Sequence, residues 1–323
     1  MEKIIQGPTK LSPSARVKAE DLNEGVLDKI GNTRLLSFEK IAAKECPGVE
    51  IWAKAEWDNA GGSVKARPAL NMILEGERSG LLKPGMTILD STSGNTGVAY
   101  ALIGMVKGYH VKLVMPQNVC GERKQLMSAA YHAEIVYSSP LEGSDGAIVL
   151  CREIYHKEPE LYFWPDQYNN DANWRAHYDT TAAEIWKQTS GRVTHFLAGL
   201  GTTGTAMGTS RGLKQRFNDA IKCYGVEPAE SLHGIEGLKH MSSSIVPGIY
   251  HKEELDGIIS VKTEEAYEMT GRIKEAYGLN VGSSSGAAVA GAVKLGKTLG
   301  EGVIVTILPD SCDCEFATGR FCA

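Results

Sequence analysis

The chain has 323 residues, of which 42% are hydrophobic and 23% are charged. This is an ordinary globular composition, and the length allows two lobes. The 39 acidic and 34 basic residues give a net charge of −5 and form no blocks, which argues against a nucleic-acid partner and a membrane-binding patch. A polar N-terminus and the lack of a long apolar run predict neither a signal peptide nor a transmembrane helix, so a cytoplasmic location is expected.

The seven cysteines are scattered and odd in number, which is typical of reduced thiols rather than of a disulfide framework. Three of them, Cys312, Cys314 and Cys322, lie close together near the C-terminus. Their spacing is not one that zinc sites normally use, so no metal ion is expected.

Short runs rich in β-branched residues alternate with longer amphipathic segments. In chain order, the pattern predicts strands at 51–57, 86–90, 110–115, 134–137, 193–198, 222–226 and 303–307, with helices at 64–78, 96–107, 122–131, 172–188, 205–217 and 285–299. Strands that alternate with helices predict parallel sheets with helices on both faces. The number of units favours two such sheets rather than one.

The first of four notable turns follows the strand at 51–57 and reads N-A-G-G-S-V-K, from 59 to 65. A lysine at a helix start is most often a solvated surface residue. Here two glycines allow another group to approach the backbone closely, and the helix dipole disfavours the ammonium form of Lys65. Lys65 is therefore a candidate for a neutral or imine-forming amine.

Three further turns each open a predicted helix. Residues 91–97 combine hydroxyl side chains with the free N–H groups of a helix start, which favours carboxylate binding. Residues 199–205 are typical of a phosphate cup but lack the G-K-[ST] ending of a nucleoside-triphosphate site. Residues 282–288 contain three serines, and this turn alone would be interpreted as an ordinary helix cap.

In their order and chemistry these turns resemble fold-type II pyridoxal-phosphate enzymes of the cysteine synthase and cystathionine β-synthase family. The matching segments are I-G-N-T at 30–33, G-S-V-K at 62–65, T-S-G-N-T-G at 92–97, and the turns at 201–205 and 282–288. The resemblance implies the two-lobed α/β fold of the tryptophan synthase β type, with the cofactor in the cleft between lobes. Residues 46–172 would form a smaller, mobile lobe that grips the substrate. Residues 1–45 and 173–323 would form the larger lobe, which binds the cofactor phosphate.

The resemblance also implies a role for each matching residue. Lys65 would be the catalytic residue and form the Schiff base with pyridoxal 5′-phosphate, while Asn95 would contact the 3′ oxygen and Ser284 the pyridine nitrogen. The cofactor phosphate would be held by Gly201, Thr202, Thr203, Gly204 and Thr205. The substrate carboxylate would be held by Thr92, Ser93, Gly94, Thr96 and Gln167.

Three positions depart from the family pattern. Ala66 stands where Asp is usual, Arg34 where Pro is usual, and Thr203 where Gly is common.

A hydroxyl at Ser284 supports a protonated pyridine ring less well than a carboxylate would, which favours prompt loss of a β-substituent. Lys65 would then be the base that removes the α-proton.

The expected reaction is the synthesis of L-cysteine from O-acetylserine or O-phosphoserine and sulfide or a sulfur carrier, in a homodimer. The phosphate cup looks most like that of O-phosphoserine sulfhydrylases, and Lys239 is a candidate for binding the leaving phosphate. The alternatives are β-replacement to cystathionine, β-cyanoalanine or a diamino acid, a β-eliminating lyase, or an inactive binding partner that retains the fold.

Overall fold

The computed structural model describes residues 24–92, 94–119 and 121–311. Within them a six-stranded sheet has the order β1-β2-β10-β7-β8-β9. Its strands are β1 (Leu35–Ser37), β2 (Val49–Ala55), β7 (His195–Gly199), β8 (Lys222–Pro228), β9 (Gly257–Val261) and β10 (Gly302–Leu308). All neighbours are parallel except the β1–β2 pair.

A second, four-stranded sheet is entirely parallel and has the order β5-β4-β3-β6. Its strands are β3 (Thr87–Ser91), β4 (His110–Pro116), β5 (Glu134–Ser138) and β6 (Tyr162–Phe163). Consecutive residues of β3, such as Ile88 and Leu89, are fully buried because helices cover both faces of the sheet.

Helices connect most of these strands. They are α1 (Glu39–Glu45), α2 (Ala66–Arg78), α3 (Asn95–Lys107), α4 (Gly121–Gln125), α5 (Gly143–Lys157), α6 (Asp171–Ala176), α7 (Ala182–Gln188), α8 (Gly204–Arg216), α9 (Thr263–Tyr277) and α10 (Ser283–Gly296). One π-helical turn, the wide turn His177–Thr181, joins α6 to α7, so that residues 171–188 form a continuous helical segment.

The helix α10 is almost completely buried, since small residues such as Ala287 and Gly291 let it approach its neighbours closely. It packs mainly against α9 and β10. The smaller sheet has its own core, to which α3 contributes Tyr100, Leu102 and Ile103. Each sheet therefore has its own packed core, and the cleft lies between the two.

The predicted fold class is confirmed, because both sheets are parallel apart from the β1–β2 pair and are flanked by helices. The sequence pattern missed several elements, among them α5, α9 and the short strands β1 and β6. The strand β2 lies within the predicted smaller lobe, which was expected to begin at residue 46. It instead pairs with β10 in the larger sheet, in register from Val49–Gly302 to Ala55–Leu308, and so departs from that expectation.

Candidate active site

A cavity of about 900 Å³ lies between the two sheets, at the carboxyl ends of their strands. The parallel arrangement brings turns that are far apart in sequence to this one edge. Residues from both sheets line the cavity. Those that the sequence singled out are Lys65, Gly94, Asn95, Thr96, Gln167, Gly201, Thr202, Thr203, Thr205, Lys239 and Ser284.

Two predicted residues lie behind the cavity wall, and one cannot be placed. The Thr92 hydroxyl accepts hydrogen bonds from the N–H groups of Gly94 and Gly97, both at 3.0 Å, so it shapes the turn from within. Gly204 is buried at the start of α8. Ser93 lies outside the described residues.

Lys65 immediately precedes α2, at the end of the turn that follows β2. Burial is the main cause that lowers the pKa of its amine, and the Arg123 guanidinium lowers it further, while Asp310 opposes the shift. Lys65 Nζ donates no hydrogen bond within the described part of the chain. This environment therefore favours the neutral, nucleophilic form of the amine more than water does.

Asp310 is a carboxylate in this cavity that sequence reasoning did not single out. It follows β10, and its Oδ2 accepts a hydrogen bond of 2.5 Å from Asn95 Nδ2. Arg123 Nη2 lies 3.7 Å from the same oxygen. Burial raises the pKa of Asp310, against the opposing effects of Arg123, Asn95 and Lys65. The amide of Asn95, at the start of α3, is thus held with its Nδ2 directed at Asp310.

The side chain of Gln167 links Ser91 and Thr96 within the turn at 91–97. Gln167 Nε2 donates to the Ser91 carbonyl at 2.7 Å, and its Oε1 accepts from the Thr96 hydroxyl at 2.9 Å. Both side chains are buried. A Cβ atom added at Gly94 would lie 2.8 Å from Arg123 Nη1, so the arginine would have to move to admit a side chain there.

The cup formed by residues 201–205 is supported from below by Asn173 and His177. Asn173 Nδ2 donates to Thr202 Oγ1 at 3.1 Å, and a side chain at Gly204 would collide with this asparagine. His177 Nε2 lies 3.2 Å from Thr205 Oγ1. Burial, followed by the nearby Arg67, lowers the pKa of His177 to about 3, so its ring is neutral.

The cup contains an unpaired donor. Thr203 Oγ1 is buried and has no hydrogen-bond partner among the described residues. Buried hydroxyl groups in folded proteins are nearly always paired, and this one lies directly before the N-terminus of α8. The hydroxyl and the helix N-terminus together fit a phosphate group.

Two ion pairs cross the cavity mouth. Arg123 Nη1, from α4, lies 3.2 Å from Glu236 Oε2. Lys239 Nζ lies 2.8 Å from Asp145 Oδ1, in the first turn of α5, and 5.3 Å from the ring centroid of Tyr168. The predicted phosphate-binding lysine therefore faces the cavity with its charge already paired.

A buried cluster of charged side chains lies beneath the turn at residues 59–65, which we call the lysine turn. Arg67 binds Glu56 through Nε at 2.7 Å and Glu184 through Nη1 at 2.7 Å, while Lys54 Nζ contacts Glu184 at 2.6 Å. Arg67, Glu56 and Lys54 are all buried. The position after Lys65, where the family usually has Asp, is a buried alanine here, and the next residue, Arg67, anchors the start of α2.

No group of His, Cys, Asp or Glu side chains that could hold a metal ion occurs in the described ranges. The cysteines at 312, 314 and 322 lie outside them. Among the described helices, none has the length and apolar character that crossing a membrane requires.

Comparison with known proteins defines the class of protein. Residues 26–310 match the family of pyridoxal-phosphate dependent enzymes. The chain is 48% identical to a cysteine synthase from Aquifex aeolicus over 303 residues, with 92% of each chain covered. It is 39% identical to cysteine synthase B from Escherichia coli, covering 90% of this chain and 94% of the relative.

The solved structures agree with the sequence relatives. The crystal structure of a cysteine synthase from Entamoeba histolytica superposes with a TM-score of 0.85 at 34% identity, covering 97% of this chain and 93% of that one. The chain therefore belongs to the cysteine synthase family of pyridoxal-phosphate dependent enzymes. The predicted family, the predicted cofactor and the prediction that the protein is an enzyme are confirmed.

Proposed function

We propose that the protein makes L-cysteine by replacing the β-substituent of an activated serine, with Lys65 as the residue that binds the cofactor covalently. The observation that carries this proposal is the convergence in one cavity of Lys65, Asn95, Ser284 and the cup at 201–205. Family membership and the unpaired Thr203 hydroxyl in the cup support the same assignment.

Pyridoxal phosphate would be held by its phosphate in the cup and by Asn95 and Ser284 along its ring. When bound, the cofactor withdraws electrons from the amino acid, which makes the α-proton acidic and the β-substituent easier to lose. Thr96, Gln167 and the backbone around Gly94 would bind the substrate carboxylate. Lys65, whose pKa is lowered by burial, would remove the α-proton.

The polar neighbours of Lys65 would determine the charge, the hydrogen-bond donors and the access of water around its amine. Asp310 and Arg123 lie on the same side of the cavity and have opposite charges, so they leave little net charge close to the amine. The hydrogen bond from Asn95 to Asp310 keeps one N–H of the amide available to the cavity. The ion pairs at the mouth, Arg123–Glu236 and Lys239–Asp145, would help to exclude water during the reaction.

Replacing Lys65 tests the assignment directly. We expect Lys65→Ala to bind pyridoxal phosphate through the cup but to lose the absorption band of the lysine-bound cofactor and nearly all cysteine synthesis. The measurements are the visible spectrum of the purified protein and turnover of O-acetylserine with sulfide. A variant with near-normal turnover would overturn the proposal.

Lys239 is proposed to discriminate between acetate and phosphate as the leaving group. A dianionic phosphate would have to compete with Asp145 for its ammonium group, whereas an uncharged acetyl ester would not. Lys239→Ala should lower the ratio of kcat/KM for phosphoserine over acetylserine by about tenfold or more, as expected for a lost charge-assisted hydrogen bond.

Asp145→Asn is the matched variant, because it frees Lys239 without removing it. It should raise the same ratio, since the ammonium group then has no carboxylate partner in α5. If neither variant changes the ratio, Lys239 does not contact the leaving group and serves only to hold α5 against the loop that follows β8.

We further propose that the enzyme works as a cytoplasmic homodimer. The buried, unpaired thiols of Cys46, Cys151 and Cys223 are in keeping with a reducing compartment. The dimer follows from the family resemblance alone.

A further inference from the structure

Asp90 is a buried carboxylate to which the reaction assigns no role. It is the fourth residue of β3 and only 1% of its surface is exposed. Four groups donate hydrogen bonds to it. The Ser91 N–H (2.8 Å) and the Trp164 indole (3.3 Å) donate to Oδ1, while the Tyr100 hydroxyl (2.9 Å) and the Gln167 N–H (3.3 Å) donate to Oδ2.

These donors come from three separate parts of the smaller lobe. Ser91 leads into the turn at 91–97, Tyr100 belongs to α3, and Trp164 and Gln167 belong to the segment that follows β6. The backbone of Gln167 is thus fixed by Asp90, while its side chain bridges the Ser91 carbonyl and the Thr96 hydroxyl. Asp90 consequently holds together both parts of the proposed carboxylate site.

We infer that Asp90 is a positioning residue whose ionised carboxylate assembles the binding site for the α-carboxylate of the amino-acid substrate, and that its protonation disassembles this site. The inference rests on the proposed function, because it assumes that the turn at 91–97 and Gln167 bind the substrate. Asp90 itself would not touch the substrate, since its oxygens are occupied by the four donors.

The number of hydrogen bonds that Asp90 can accept depends on whether its carboxyl group is ionised. An ionised carboxylate accepts all four hydrogen bonds, whereas a protonated one carries a hydrogen on one oxygen, so that at least one of the four donors must rotate away or lose its acceptor. Burial, and secondly the Asp166 carboxylate, raise the pKa of Asp90 to about 7. The site should therefore lose affinity for the substrate as pH falls through this value.

Other groups also face Asp90 and could influence its titration. Tyr100 on α3, Tyr168 after β6 and Cys151 on α5 interact with it, but burial raises the pKa of each, so they carry no charge near neutral pH. Arg152, also on α5, lies near Cys151 and Asp166. Asp166 remains as the neighbour whose negative charge raises the pKa of Asp90, although none of the hydrogen bonds to Asp90 comes from Asp166.

The experiment compares two variants of the holoenzyme. The dissociation constant of L-serine, an amino acid that lacks a good leaving group, would be measured between pH 5.5 and pH 8.5 from the spectral change of the bound cofactor. Asp90→Asn has a similar shape but cannot accept four hydrogen bonds. Asp166→Asn leaves the four donors to Asp90 in place and removes the neighbouring charge, and its amide oxygen can still accept the hydrogen bond from Asn169 Nδ2.

For the wild type we expect affinity to fall as pH is lowered through about 7, a pH range that is set by Asp90. Asp90→Asn should bind L-serine about tenfold more weakly at pH 8 and lose this transition. Asp166→Asn should bind normally at pH 8 and show the transition at lower pH. If Asp90 only stabilised the fold, removing the charge at residue 166 would not shift the pH at which affinity for L-serine falls.

Either of two results would overturn the inference. One is an Asp90→Asn enzyme that binds L-serine as the wild type does at every pH. The other is an unchanged transition in Asp166→Asn, which also keeps the test decisive if Asp90→Asn fails to fold. Failure of the proposed function is visible separately, because the absorption band of the lysine-bound cofactor would then be missing before any amino acid is added.

Discussion

Thr203 has a backbone conformation that β-branched residues rarely adopt. Its φ is +71°, in the left-handed region, at the residue that precedes α8. Such strain costs on the order of 1–3 kcal/mol and persists where the surroundings require it, often at binding sites. The family commonly has glycine here, which adopts this conformation freely. The threonine adds a hydroxyl donor to the cup, and we propose that its hydrogen bond to the cofactor phosphate compensates for the strain.

Replacing Thr203 should therefore change stability and cofactor binding in opposite directions. Thr203→Gly should raise the unfolding free energy of the apoprotein by about 1 kcal/mol, because it relieves the strain. It should also weaken pyridoxal-phosphate binding about tenfold, because a hydrogen bond to a charged phosphate is lost. Denaturant unfolding and cofactor titration measure the two effects.

Thr203→Val is the matched control, since valine keeps the β-branched shape and lacks the hydroxyl. It should weaken cofactor binding to the same extent, while the strain of the left-handed backbone at residue 203 remains. A Thr203→Gly protein that binds the cofactor as tightly as the wild type would show that the hydroxyl does not contact the phosphate.

At the scale of the element, the continuous helical segment formed by α6, the wide turn at His177–Thr181 and α7 supports the cup. His177 lies in that turn with no exposed surface, between Thr181 (2.9 Å) and Thr205 (3.2 Å). Its pKa of about 3 lies below that of an unfolded histidine, which is about 6.5. The unfolded chain therefore binds a proton that the folded one excludes, and stability falls as pH falls below about 6.5.

This linkage predicts the effect of replacing His177 by a residue that does not titrate. Between pH 8 and pH 5, the wild-type apoprotein should lose about 2 kcal/mol more stability than His177→Gln does. Denaturant unfolding of both proteins at the two pH values measures the difference. Equal losses would mean that His177 is protonated in the folded protein.

The elements also show why part of the site could be predicted and part could not. The turns at Lys65, Asn95, Gly201 and Ser284 each combine a strand end with a helix start, and that local pattern is visible in the sequence. Asp145 and Lys239 meet although 94 residues separate them, and α5 has no feature in its sequence that points to the cavity. Asp310 appears ordinary in sequence, and only the end of β10 brings it to Asn95.

Asp90 illustrates the same limit. In sequence it is the last polar residue of a predicted strand, and such a residue would normally face solvent. The segment after β6 covers it, and that tertiary contact creates the four hydrogen bonds. Burial changes the chemistry of the carboxyl group, so its role depends on neighbours that no local pattern identifies.

At the scale of the whole molecule, the cavity attracts anions through backbone dipoles more than through net side-chain charge. Its described lining contains the basic side chains of Lys65, Arg123 and Lys239 and the acidic side chains of Glu142, Asp145, Glu236 and Asp310. The helices α2, α3, α8 and α10 all begin at or next to residues of the cavity wall. Their N-terminal N–H groups give the site positive potential, although the protein as a whole has a net charge of −5.

The pairing of β2 with β10 has a consequence for the growing polypeptide on the ribosome. These two strands are joined in register from Val49–Gly302 to Ala55–Leu308, so the centre of the larger sheet is incomplete until residue 308 has been synthesised. The smaller sheet needs only strands between Thr87 and Phe163, all of which emerge much earlier. At roughly 5–20 residues per second, the gap between these two events is many seconds. During that time the lysine turn lacks its support from Pro309, whose carbonyl accepts the N–H of Val64. The lysine turn thus reaches its final geometry only after Pro309 has been added to the nascent chain.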